Sequence, residues 1–287
     1  MRNQGVFSLV SYLHLDQLNG KWMTLLVRSK SKAPMFDSSL SSIPNRRQRL
    51  DNLLVLAIEA HGGLNAWNKH QGLHANVSIG GALWDMKGLP GLFKNTRVEF
   101  KLHSQHVITQ LVDVNQRIVF TPNQISLESE SGKVFDTRID PRSAFAGQSA
   151  DSKWDKLHAG YFCSYALWEY LTIPFLYTYP GFDAHEIEPW YENGERWRVL
   201  QVTFPDGYAA HTRTQYSYFG EDGLLRRHLY TVDVLGGAPG ANYAFDYRAA
   251  NGLMLPTRRR VFAYNEGRQK IDDPILVSID LSEVEFT

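Results

Sequence analysis

From Leu73 to the C-terminus, short runs of residues alternate between apolar and polar with a period of two, and turn residues cut one run from the next. Leu73–Leu83, Arg97–Leu102, His106–Val112, Arg117–Thr121, Gln124–Glu128 and Lys133–Arg138 each suit one strand. Between them stand Gly88–Gly91, Asn115, Pro122-Asn123 and Ser131-Gly132. The second half repeats the plan, with turn signals at Asn193-Gly194, Asp206-Gly207, Asp222-Gly223, Gly236-Gly237, Asn251-Gly252 and Gly267. Successive glycines lie about 13 to 16 residues apart, the length of one strand and one turn of a meander. Such punctuation excludes the βαβ alternation of a doubly wound sheet.

Helical periodicity occurs in two places only. Leu50, Leu53, Leu54, Ala57 and Ile58 predict a helix over Arg46–Ala60, stopped by Gly62-Gly63, with a further turn or two over Leu64–His70 anchored by Trp67. Trp154–Ile173 predicts a second helix that is apolar nearly all round, with Lys156, His158, Ser164 and Glu169 as its plainly polar residues. A helix of that kind is buried, and Pro174 ends or kinks it. The expected fold is therefore β-rich α+β. A large curved antiparallel sheet of about ten to twelve strands, an incomplete barrel, encloses the buried helix and follows an N-terminal helix pair. Residues 46–287 form this half-barrel domain, and residues 1–45 read as an N-terminal extension or linker, rich in Ser, Lys and Pro after Ser29.

Composition narrows the function classes. Lysine plus arginine equal aspartate plus glutamate at 30 each, so no global basic field favours nucleic acid. Cys163 is the only cysteine, which excludes an intrachain disulfide framework and a Cys-rich metal site. His103 and His106 are three apart on extended chain and point to opposite faces, so no metal site is expected of them. No phosphate-binding loop, nucleophile elbow or H-E-x-x-H motif is present, and Gly236–Gly240 reads as a hairpin loop. No cofactor is implied. Arg258-Arg259-Arg260 makes no basic patch, because neighbours on a strand face opposite ways. The apolar run Gly5–Leu13 behind Arg2 lacks a small-x-small cleavage site, so a cytoplasmic location is expected, with the periplasm as the alternative. The two prolines in Ala159–Phe182 suit a buried helix and loop better than a membrane span.

Aromatic residues make up 13% of the chain and crowd between Trp154 and Trp190. They either fill a dry core or line a ligand cavity. The cavity reading names Tyr161, Tyr165, Trp168, Phe175 and Tyr177 as its lining, with His228 and Tyr230 on one strand face to meet a polar head group. The corresponding function is a non-enzymatic binder or carrier of a hydrophobic small molecule, a lipid or acyl chain. Two alternatives stay open. One is a hydrolase or isomerase acting on an apolar substrate in the same cavity, with His211 or His228 as base. The other is a protein or membrane-surface module, with peripheral membrane contact through exposed aromatics of Pro174–Phe182.

The stretches AIEAHGGLNAW, FTPNQI, YFCSYALWEYLTIPF, RVLQVTFP, GLLRRHLYTVDVLGG and PTRRRVF resemble a family of uncharacterised bacterial proteins across about residues 46–287. In element order the chain is also similar to the lipoprotein-localisation factors LolA and LolB. That resemblance implies an incomplete antiparallel barrel covered by helices, with an apolar cavity that receives acyl chains. It carries no functional residue over, and the sequence departs from those carriers in lacking a clear secretion signal or lipobox.

Overall fold

The computed structural model describes residues 51–287; the expected extension over 1–45 and the first turn of the helix expected from Arg46 lie outside them. Helix α1 (Asn52–Ala60) starts where the Asp51 carboxylate accepts a hydrogen bond from the Leu53 N–H at 2.8 Å. It stops at His61, where Gly62 takes a φ of +113° against the Gly252–Leu253 backbone. Leu53, Leu54, Ala57 and Ile58 are buried, the stripe read from the sequence. Helix α2 (Leu64–Trp67) completes the expected pair and buries Trp67.

Fourteen strands form one large antiparallel sheet among the described residues. The first six are β1 (Gly72–Gly80), β2 (Thr96–Lys101), β3 (His106–Leu111), β4 (Gln116–Thr121), β5 (Gln124–Ser129) and β6 (Val134–Ile139). The rest are β7 (Asp183–Glu192), β8 (Glu195–Thr203), β9 (Thr214–Phe219), β10 (Leu225–Val232), β11 (Ala238–Ala250), β12 (Leu253–Tyr264), β13 (Lys270–Ile271) and β14 (Val277–Phe286). The count exceeds the expected ten to twelve because the acidic run Asp183–Glu192 is a full strand and Lys270–Ile271 adds a stub beside β12. The segment expected as one strand over Leu73–Leu83 ends at Gly80. Gly81, at φ +108°, then turns it into a short helix α3 (Ala82–Met86), which sends Leu83 and Trp84 into the core.

The strand order is β6-β5-β4-β3-β2-β1-β14-β12-β11-β10-β9-β8-β7. The first and last strands pair at the middle, and the two open edges, β6 and β7, are neighbours in sequence. The chain between them must therefore cross the gap of the unclosed barrel, and that chain carries helix α4 (Lys156–Thr172). Asp155 caps α4, accepting from the His158 N–H at 2.8 Å. Partial burial, the largest single influence, raises this carboxyl, but the hydrogen bonds and charges of Arg138 and His158 together outweigh it and hold it down at about 2. Pro174 follows the last turn, as the sequence requires. From Leu157 onward nearly all of α4 is buried. Gly160 lets it rest on the sheet, because a Cβ there would come within 2.8 Å of Ile118 Cγ2. The result is a curved incomplete barrel wrapped around a helix.

Alternation assigns the two faces. Val202, Phe219, Tyr230, Ala244, Val261 and Ile279 point inward to the main core. Trp197, Val199, Tyr218, Leu229, Ala241 and Tyr243 point outward and build a second, smaller cluster on the convex side. A bulge between Leu225 and Arg227 shifts the parity of β10. Leu225 thereby joins His228 and Tyr230 on the inner side. No helix of the described residues is long and apolar enough to cross a membrane.

Candidate functional site

A cleft lies between α4 and the inner face of the sheet, enclosing about 60 Å³. Its walls are apolar: Leu83 and Trp84 from α3, Phe162, Ala166 and Leu167 from α4, and Val261 and Ile279 from β12 and β14. Leu235 and Leu276, both part-exposed, stand at its rim with Ala238 and Pro239, where the loop expected over Gly236–Gly240 has already become the start of β11. Polar groups meet it at Tyr170, His211 and Tyr230. His211 offers both ring nitrogens to tyrosine hydroxyls, Nε2 to Tyr170 at 2.8 Å and Nδ1 to Tyr165 at 3.2 Å. The Tyr170 and Tyr230 hydroxyls are hydrogen-bonded to each other, and the Tyr230 ring stacks on the His211 imidazole with centroids 4.0 Å apart. Gly240 makes this stack feasible: it lies opposite Tyr230 across the β10–β11 pair, and a Cβ there would overlap the ring.

Behind the tyrosines the inner face turns polar. Gln215 and Ser217 on β9, His228 on β10, Asn242 on β11 and Arg259 on β12 all point inward at no more than 1% exposure, opposite Glu169 of α4. Ser217, His228 and Asn242 lie in one row across three paired strands. Arg259 sits one inward position along β12 from Val261. Buried polar groups in folded proteins are overwhelmingly hydrogen-bonded; here many are not. Both Glu169 oxygens, both His228 ring nitrogens, both Asn242 amide atoms, Gln215 Oε1 and Arg259 Nε and Nη1 have no partner. Each orphan of this kind costs about 1–3 kcal/mol, so the cluster is expensive as a purely structural device.

The ionisation states follow from burial. Loss of solvation pushes Glu169 up to about 8; Gln215, the His211 backbone and Arg259 oppose this without reaching either oxygen in hydrogen-bond geometry. Burial, aided by Arg142, lowers His211 to about 3. His228 is also pushed well down, by burial first and then by His211 and Arg259. Near neutral pH the cluster holds a protonated Glu169, two neutral imidazoles and the Arg259 guanidinium.

The structure places the sequence-predicted residues as follows. Tyr230 lines the cleft, and His228 lies one strand step deeper. Tyr165 bonds to His211. Tyr161 packs edge-on against Phe120. The Trp168 indole donates to the Lys101 carbonyl at 2.8 Å. Tyr177 hydrogen-bonds Ser217 at 2.7 Å, and Phe175 stacks on Trp67. Phe175, Tyr177 and Phe182 are all buried, so the Pro174–Phe182 segment offers no exposed aromatic patch of these rings. The physical reason is that Trp67 and Phe204 cover them.

Sequence reasoning missed Glu169, Tyr170, Asn242 and Arg259. Glu169 carried one usable signal, a lone acid in a helix expected to be buried on all sides. Arg259 was hidden in a triplet whose outer members Arg258 and Arg260 pair with Asp246 and Asp280.

No protein-family model matches the chain, and no curated protein sequence matches it. Among solved structures it is similar to a LolA superfamily protein from Nitrosomonas europaea, at TM-score 0.47 and 13% identity, covering 82% of this chain and 92% of that one. It is similar to a DUF1329 family protein from Desulfovibrio piger at TM-score 0.41 and 12% identity, covering 82% and 91%. A third likeness is to lipoprotein LppX of Mycobacterium tuberculosis, at TM-score 0.24 and 11% identity, covering 82% and 96%.

Proposed function

We propose that this protein binds a hydrophobic ligand, a lipid or acyl chain, in the cleft between α4 and the inner sheet face, as a carrier rather than a catalyst. The observation that carries the reading is an apolar cleft that ends on hydrogen-bonding groups, Tyr170, His211 and Tyr230, instead of closing on a dry core. Apolar walls favour an acyl chain by about 0.8 kcal/mol per methylene buried, and the polar end fixes its direction.

The cleft's volume of about 60 Å³ is well below the roughly 300 Å³ at which small-molecule pockets begin. A chain of any length therefore enters by displacing the part-exposed Leu235, Ala238 and Pro239 at the start of the β10–β11 hairpin. A catalytic reading would ask His211 or His228 to take a proton. Imidazoles held so far below neutral pH are weak bases, which favours binding over chemistry. Native mass spectrometry of the purified protein, with solvent extraction of what it carries, tests the reading. A stoichiometric apolar molecule is expected; protein that is always ligand-free and takes up no fluorescent fatty acid overturns it.

A further inference from the structure

Arg259 has no counter-ion. Its side chain is 1% exposed, and among the described residues no carboxylate lies within ion-pairing distance of it. One amino group, Nη2, donates to the Tyr170 carbonyl at 2.6 Å. Nε and Nη1 have no partner. Tyr170, whose ring lies 5.3 Å below the guanidinium carbon, is also a wall of the cleft. So is Val261, the next inward residue along β12. The nearby Asn242 amide, inward on the adjacent strand and opposite Val261, has its donors free as well.

These groups have one chemistry in common: they are donors, around a fixed positive charge, in a space that excludes solvent. A neutral water would satisfy Nε and Nη1 but would leave the charge uncompensated. A carboxylate offers two acceptor oxygens in the plane of the guanidinium fork and cancels its charge. A cationic head group would meet the Arg259 field directly, and the small free volume disfavours a bulky anion.

We propose that the ligand is a long-chain carboxylic acid whose carboxylate passes the Tyr170–Tyr230 pair and is received by Arg259, with Asn242 as a second donor. This rests on the reading that the cleft binds an apolar chain. The two tyrosine hydroxyls, now bonded to each other and to His211, then turn to the head group as it arrives. Glu169 stays protonated beside it and competes with no negative charge.

The test is a head-group series on the full chain: myristic acid, 1-tetradecanol and methyl myristate, titrated against wild type, Arg259→Met and Arg258→Met. The acid is expected to bind wild type at least tenfold more tightly than the alcohol or the ester. Arg259→Met should bring the three ligands within about threefold of one another. Arg258→Met, which removes the same charge from the outer face, should keep the preference. Should Arg259→Met fail to fold, carboxyl-labelled myristic acid bound to wild type decides by NMR: its carboxylate should titrate at least one pH unit below the free acid. Equal binding of acid and alcohol, or a bound carboxyl that titrates as the free acid or above, overturns the proposal while leaving the apolar cleft in place. Absence of binding by all three ligands overturns the cleft reading itself.

Discussion

His228 Nε2 stands 3.5 Å from Glu169 Oε1, with both side chains shut off from solvent and neither atom hydrogen-bonded. A charged pair at that distance would be held by attraction. Here burial keeps the carboxyl protonated and the imidazole neutral. The pair is consequently a reserve of hydrogen-bonding capacity rather than an ion pair. It faces Arg259, His211, Gln215 and the hydroxyls of Tyr165, Tyr170, Tyr177 and Tyr230.

The first consequence is a pH dependence of stability. Glu169 has a folded-state value of about 8 against 4.5 when unperturbed. The folded protein therefore binds the extra proton between these values, and stability falls as pH rises through that window. The buried histidines work the other way. His211 at about 3, His61 at about 4 and the strongly lowered His228 add stability as pH rises, until about one unit above 6.5, where the unfolded imidazoles have lost their protons too. Between about pH 7.5 and 8.5, where the unfolded histidines are largely neutral, the Glu169 effect dominates, with a slope of up to about 1 kcal/mol per pH unit. Urea denaturation across this range should show wild type losing stability and Glu169→Gln holding nearly constant. Parallel profiles for the two proteins would count against a protonated Glu169.

Gly240 supports the ring that closes the polar end of the cleft. Gly240→Ala places a Cβ into Tyr230 and should destabilise the protein by about 1–3 kcal/mol. It should also weaken ligand binding, because Tyr230 must leave its stack on His211. Thermal unfolding and a ligand titration on the same preparation check both effects.

Trp67 joins three remote parts of the chain. It is 1% exposed and stacks on Phe175 at 4.4 Å and 7°, and its edge meets Phe286. Its indole donates to the Tyr179 hydroxyl at 3.1 Å. Trp67→Ala should cost about 3–5 kcal/mol in a denaturant melt. Trp67→Phe keeps the stack and should cost less.

Arg227 provides the control on the convex face. It is fully buried between Trp190, Tyr218 and Tyr243, with the guanidinium carbon 5.0–5.4 Å from each ring, and pairs with Glu192 at 3.1 Å. Arg227→Ala removes the charge partner of Glu192, which keeps only its hydrogen bonds from Trp190 and Tyr243, and empties the space between the three rings; it should destabilise by about 3 kcal/mol, leaving ligand affinity unchanged where the variant is folded. Circular dichroism melts with a parallel titration separate the two effects.

Much of this architecture is written in local pattern. The period-two runs and their Gly and Asn turns specify strands to within a residue or two, as at Arg117–Thr121 against the observed Gln116–Thr121. The lone all-apolar helix specified its own burial, because nothing but the sheet could cover it. Other features depend on contacts between distant segments. The β10 bulge changes which residues face inward without a glycine to announce it. Leu83 and Trp84 reach the cleft only because Gly81 diverts the chain after β1. Arg259 looks like surface charge in sequence; its inward position follows from the registers β11–β12 and β12–β14, which no local pattern encodes.

Filling the cleft tests the central claim most directly. Ala166 on α4 is a wall of it, and Ala166→Phe adds a ring to that space. Titrated with a fluorescent fatty acid such as cis-parinaric acid, the wild-type protein should show saturable one-to-one binding. Ala166→Phe, verified as folded by circular dichroism, should lose affinity at least tenfold. Saturable binding of equal strength in both proteins, or none in wild type, would contradict an apolar ligand site between α4 and the inner face of the sheet.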